Sequence, residues 1–243
     1  MHQGVLAAVG DPDFFGRDVA DRLGQLVRPE GSTVQSPARD GLARLRYGRF
    51  MSEVRSLEDT DRAMGVPPEQ LCRVLELAMG NSPLEQTLGE LIRIVESTSR
   101  TSVLGSILLL DEDGRHLRHG AAPSLPGSYY MAIDGAEIGP CVGSCGTAAY
   151  TATPVFVGDI ANDPLWADFR ELADAHDLRA CWSIPILTAD RKVLGTFAMY
   201  HREPREPTVR DLALVDLVTQ TAALVIERDR TQSMLRNIAR MTA

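Results

Sequence analysis

The chain has 243 residues, 44% of them hydrophobic and 24% charged, the balance of a soluble globular protein with room for one large domain or a medium one with extensions. Its net charge of −8 argues against a general attraction to nucleic acid or to an anionic membrane surface. No apolar run reaches the roughly 18 residues of a membrane span, and the first residues lack the basic start of a secretory signal, so a cytoplasmic location is expected.

Residues 1–60 carry the weakest pattern. Asp13 to Val27 suggests a short helix with Phe14, Phe15, Val19, Leu23 and Leu26 on one face, followed by a loop from Pro29 to Pro37. Periodicity sharpens after Pro67. A helix carrying Leu71, Val74, Leu75 and Ala78 runs toward Gly80, which can end it. Ser82-Pro83-Leu84-Glu85 has the form of a capping box with proline at the first helical position. Leu84, Leu88, Leu91, Ile92 and Val95 then mark a buried helical face.

Strand patterns follow. Val103 to Leu110 is apolar and meets a turn at Asp111-Glu112-Asp113-Gly114, after which Arg115 to Ala121 returns as its hairpin partner. Residues 122–140 read as a connection broken by Pro and Gly. Ser144 to Thr151 is a helix of small residues, Pro154 to Asp159 a short strand, and Pro164 to Asp177 a helical excursion. Cys181 to Thr188 and Val193 to Tyr200 are two further strands. Thr208 caps a helix running to about Arg240. Short links between successive strands favour an antiparallel sheet, and the fold class is α+β with helices packed on one face.

The last helix has two apolar stripes. Val215, Val218, Ala222 and Val225 suit a sheet, whereas Leu214, Leu217, Leu224, Leu235 and Ile238 approximate a heptad seam. Core packing alone explains two stripes, and so does a helical homodimer.

Several motifs in order resemble those of GAF domains, the subtype that serves as an input module in bacterial signalling proteins. They are Gly139-Pro140, Gly143-Ser144-Cys145-Gly146-Thr147-Ala148-Ala149, Asp159-Ile160-Ala161, Asp163-Pro164-Leu165-Trp166, Arg179-Ala180-Cys181-Trp182-Ser183-Ile184-Pro185-Ile186 and Leu194-Gly195-Thr196-Phe197-Ala198-Met199-Tyr200. The resemblance implies a central antiparallel sheet with the terminal helices on one face and a ligand pocket on the other. It also implies dimers joined by those helices, and an output partner such as a kinase or cyclase, as in two-component systems. On this reading residues 1–66 are an extension, 67–228 the sensory domain with its leading helices, and 229–243 a helical extension.

Candidate ligand-binding residues are Cys145, Thr147, Trp166, Phe169, His176, Arg179 and Trp182, with Tyr200 a further aromatic candidate. The glycine-rich turn at 143–147 offers backbone N–H groups to an anion or carbonyl, or serves only to turn the chain tightly. Arg179 suits a carboxylate or phosphate, or a surface ion pair. His176 suits haem ligation or proton exchange, or a helix end. Cys145 is either a reactive thiol near a helix start or an inert space-filler. The four cysteines, Cys72, Cys141, Cys145 and Cys181, have no C-x-x-C spacing, so reduced thiols are expected and no metal site is. No cofactor can be named.

The loop also resembles that of the free methionine sulfoxide reductases, enzymes of the same fold. Their attacking cysteine belongs to a segment that here spans Asp168 to Ala180 and contains none. The favoured reading is therefore a non-catalytic sensor of a small molecule. A reductase and a ligand-free interaction module, its hollow filled by Trp166, Phe169, Met131 and Trp182, are the alternatives.

Overall fold

A computed structural model describes residues 72–73, 76–77, 79–80, 82–99 and 101–241. The expectations for Asp13 to Val27 and for the loop from Pro29 to Pro37 lie outside the described residues. Positions 72, 73, 76, 77 and 79 are helical, and the Gly80 N–H donates to the Glu76 carbonyl at 2.8 Å where that helix ends.

Helix α1 (Leu84–Thr98) follows. Its expected capping box does not form, because Pro83 itself occupies the cap with extended backbone and no side chain caps the helix. The Thr87 hydroxyl donates to the Pro83 carbonyl instead. Strands β1 (Val103–Leu110) and β2 (His116–Ala121) form the expected hairpin. The stretch read as a bare connection holds a helix, α2 (Gly127–Ile133), and a two-residue strand, β3 (Ala136–Glu137). Then come α3 (Gly143–Thr151), β4 (Val155–Val157), a 3₁₀ turn at Pro164–Trp166, and α4 (Arg170–Asp174). Strands β5 (Ala180–Leu187) and β6 (Val193–His201) lead to the long helix α5 (Val209–Met241).

The strands form one six-stranded antiparallel sheet in the order β3-β2-β1-β6-β5-β4. β6 is central. It pairs with β1 from Val103↔His201 to Leu109↔Gly195, and with β5 from Ala180↔His201 to Leu187↔Val193. Side chains alternate across a strand, so β6 sends Phe197 and Met199 to one face, and Ala198 and Tyr200 to the other.

Two cores result. On the first face, Leu88, Leu91, Ile92 and Val95 of α1 pack with Val215, Val218, Ala222 and Ile226 of α5 over Ile107, Ile184, Ile186 and Phe197. Leu214 belongs to this core and is buried, so it does not take part in an outer seam as expected. On the second face, α2, α3, the 3₁₀ turn and α4 cover Leu108, Cys181, Ala198 and Tyr200. α5 starts as the sequence suggests. The Thr208 Oγ1 accepts from the Asp211 N–H at 3.3 Å, and the Asp211 carboxylate accepts from the Thr208 N–H at 2.9 Å, a reciprocal cap.

Sheet closure is tight where β1 meets β6. A Cβ added at Gly195 would lie 2.1 Å from the Leu108 carbonyl oxygen, a backbone atom that cannot swing aside. Gly195→Ala is therefore expected to destabilise the protein by about 1–3 kcal/mol. Urea unfolding of the variant checks this, and an unchanged midpoint would contradict such close strand packing.

Candidate functional site

The second face holds the site, and its centre is the start of α3. Gly143 sits at φ +54°, a left-handed conformation that glycine adopts without steric cost. The small side chains that follow let α3 lie close to the sheet. The Ser144 hydroxyl donates to the Cys181 carbonyl of β5 at 3.1 Å and accepts from the Trp166 indole N–H at 3.0 Å. One buried hydroxyl thereby ties helix, sheet and 3₁₀ turn together. That turn is itself capped, because the Asp163 carboxylate accepts from the Leu165 N–H at 2.8 Å.

Between these elements lies a hollow of about 40 Å³. Leu108 and Tyr200 of the sheet floor it, Tyr129 and Ile133 of α2 wall it, and Cys145, Trp166 and Phe169 face it from the other side. No Asp, Glu, Lys, Arg or His lines it. A hollow of this size accepts about three water-sized groups, taking roughly 10–15 Å³ for each.

The polar content of the hollow converges on one sulfur. Cys145 Sγ lies 3.7 Å from Tyr200 Oη, which also accepts from Ser106 Oγ at 3.3 Å. Donation from the Cys181 thiol is the main influence holding the Cys145 thiol down to about 7, assisted by the Ser183, Tyr200 and Thr196 hydroxyls and opposed by burial. Burial pushes the Cys181 thiol up, and likewise the phenols of Tyr129 and Tyr200. These three groups therefore keep their protons.

Of the seven residues expected at a binding site, Cys145, Trp166 and Phe169 meet at the hollow. The other four do not line it. The Thr147 hydroxyl accepts from the Val142 N–H at 3.2 Å and closes the turn before α3. His176 Nε2 pairs with Ser128 Oγ at 2.8 Å and Nδ1 lies 3.2 Å from the Leu172 carbonyl, at the edge of α4. Arg179 forms ion pairs with Asp174 and Asp177 at the surface. Trp182 is the clearest correction. It points through the sheet into the first core, where its indole donates to the Arg205 carbonyl at 3.2 Å and the Arg205 guanidinium stacks over its ring. Met131, which the ligand-free alternative used to help fill the hollow, is exposed.

Sequence reasoning missed Tyr129 and Ile133 because it missed α2. The available signal was their four-residue spacing after Pro126-Gly127, which places two large side chains on one helical face. Among the described residues, no three His, Cys, Asp or Glu side chains gather as a metal site.

Residues 81–227 match the family model described as GAF domain. The chain is 35% identical over 164 residues to the methyl sulfide methyltransferase-associated sensor of Methanosarcina acetivorans, a match covering 68% of this chain. The chain spans only 16% of that relative's length. Two solved structures share the fold. One is a domain of a protein described as a two-component sensor histidine kinase from Sinorhizobium meliloti 1021, with 20% identity, 64% of this chain and 99% of that one covered, and a TM-score of 0.53. The other is the free methionine-R-sulfoxide reductase of Neisseria meningitidis in complex with its substrate, with 16% identity, 67% and 89% covered, and a TM-score of 0.50.

The ionisation of Cys145 can be measured directly. Its alkylation by iodoacetamide, followed by peptide mass spectrometry, is expected to rise with pH through a midpoint near 7. Cys181→Ala removes the main donor and is expected to move that midpoint upward. A midpoint indifferent to this substitution would show that Cys181 does not stabilise the thiolate.

Proposed function

The chain belongs to the GAF domain family, and from that premise we propose that it is a small-molecule-sensing module of a signal-transduction protein. The observation that carries the proposal is the use of one sheet by two compartments. The hollow lies on one side of β5 and β6, and the terminal helices lie on the other.

The strands give the mechanism a physical route. Cys181 faces the hollow side, and its neighbour Trp182 faces the helices. Trp182 bonds to the Arg205 carbonyl. Arg205 in turn pairs with Asp211 in the first turn of α5 at 3.0 Å, with both side chains largely buried. A guest that displaces β5 therefore acts on the start of the long helix. To work as a switch, it must bind two arrangements of the helices with affinities differing by about 1–3 kcal/mol.

As it stands, the hollow takes a guest of about three heavy atoms. A larger one must push α2 outward. The segment is joined to the sheet through the short β3, which pairs with β2 at His116↔Glu137 and Leu117↔Ala136.

The signal leaves through α5 in a homodimer. Leu224, Leu235 and Ile238 are exposed, as a partner helix requires, and the helix continues unbroken to Met241. A kinase or cyclase is the proposed recipient. The likeness to a domain of a protein described as a histidine kinase, and the much greater length of the curated relative, support a separate output module. Residues 67–228 are the proposed sensory unit and 229–243 its helical extension. Sparse cysteine usage supports a cytoplasmic location.

Sensing, not turnover, is the proposed role. A reductase needs an attacking sulfur with access to substrate. Asp168 to Ala180 contains no cysteine, and Cys181 is fully buried in β5. Turnover of free methionine sulfoxide lost in Cys145→Ser would overturn this reading.

Ligand sensing is tested by thermal shift across a panel of small metabolites. A true ligand at 100 times its Kd stabilises by about 2.7 kcal/mol, or roughly 5–10 °C in a protein of this size. Ala136→Leu, which fills the hollow, is expected to abolish the shift. A ligand whose shift survives this variant binds elsewhere, and the hollow would not be the sensory site. The dimer is tested by sedimentation velocity: Leu235→Glu is expected to give monomers, and a wild-type chain that is already monomeric at high concentration would defeat transmission through α5.

A further inference from the structure

The polar floor of the second core has a feature that ligand sensing does not use. Ser183 Oγ and Thr196 Oγ1 are fully buried on β5 and β6, and neither has a hydrogen-bond partner. A buried hydroxyl left without an acceptor costs about 1–3 kcal/mol. On the same face, Cys145 Sγ lies 3.7 Å from Tyr200 Oη, and Tyr200 stands opposite Cys181 in the β5–β6 register. These hydroxyls and the two thiols share one face of the sheet, and their combined influence lowers the Cys145 thiol. The lining of the hollow contains no Asp, Glu, Lys, Arg or His.

Access and a second sulfur complete the arrangement. Cys145 is partly exposed and faces the hollow, whereas Cys181 is fully buried beneath it. α3 sits against β5 at this point, with the Ser144 hydroxyl 3.1 Å from the Cys181 carbonyl. The hollow of about 40 Å³ admits a molecule of two or three heavy atoms and excludes a bulky disulfide such as oxidised glutathione.

We propose that Cys145 is a hydroperoxide-reactive site, and that its oxidation closes a disulfide to Cys181 across the interface of α3 and β5. The Cys145 thiolate attacks one oxygen of hydrogen peroxide. An S–O bond forms, the O–O bond breaks, and the departing hydroxide takes up a proton to become water. Cys145 is oxidised to the sulfenic acid by two electrons, and the peroxide is reduced. The Cys181 sulfur then attacks Cys145 Sγ. The S–S bond forms as the S–O bond breaks, and hydroxide leaves with the Cys181 proton as a second water. The sum is two thiols and one peroxide giving one disulfide and two waters. This inference goes beyond ligand sensing and does not depend on it, because it needs the two sulfurs and the hollow but no bound metabolite.

The test treats the full chain with hydrogen peroxide and maps its peptides by mass spectrometry without reduction. The expected result is a loss of two hydrogens with a Cys145–Cys181 link, reversed by dithiothreitol. Cys181→Ala is expected to stop at the sulfenic acid, trapped by dimedone on Cys145. Cys145→Ser is expected to lose both products. Circular dichroism of each variant establishes that it is folded, and the wild-type mapping needs no variant at all. Oxidation confined to the exposed Cys72 and Cys141, or a Cys145 left reduced while those two react, overturns the proposal.

Discussion

The site depends on the two hydrogen bonds of Ser144. Its hydroxyl gives its proton to the backbone of β5 and takes one from the Trp166 indole. Both bonds are buried, where an unmet polar group is costly and a met one fixes geometry. They seat the first turn of α3 on the sheet and hold the 3₁₀ turn inward against it. The hollow is the space these elements leave with α2. Its small volume reflects that closeness: a helix of glycine, serine, cysteine and alanine approaches a sheet further than one of leucines.

The same closeness concentrates chemistry. Small side chains on the sheet, including Ser106, Ser183, Thr196 and Ala198, leave room for hydroxyls without bulk. Cys145 reaches Tyr200 on the same face. The Cys145 sulfur is held ready to lose its proton, while Cys181, Tyr129 and Tyr200 are held to theirs by burial. The opposite face is conventional by comparison: α1 and α5 bury aliphatic rows against the sheet, and its polar elements gather at one end. There Trp182, Arg205, Asp211 and Thr208 link the strand to the start of the long helix.

The main elements were readable from sequence. The β1–β2 hairpin, β5, β6, α1 and α5 carry patterns long enough to show their period, and their observed ends lie within a residue or two of expectation. α2 was not readable. Seven residues opened by Pro126 cannot sustain a helix by local preference. It is held by tertiary contact, with Tyr129 edge-on to Tyr200 at 5.4 Å and Ile133 buried. The Ser82–Glu85 capping box failed for a related reason: Pro83 took the cap position, and the helix began one residue later than the pattern suggested.

Of the candidate site, the sequence alone determined its location along the chain: the small-residue turn at 143–147, Cys145 within it, and the aromatics Trp166 and Phe169. Local chemistry requires no more than that, because glycine and small side chains at one turn already announce a close approach. Only the tertiary structure decided which side chains meet. β5 is apolar on both faces, so its alternation does not say which face looks onto which compartment, and Trp182 could be assigned to the helices only when its strand partners were known. Arg179 and His176 have acceptors within reach on α2 and α4 and along the surface, and those partners are set by how the segments pack. The closeness of Cys145 to the strand that carries Cys181, 36 residues further on in sequence, arises only when a helix is laid across a strand, since burial and the Ser144–Cys181 hydrogen bond, not the order of residues, bring those elements together.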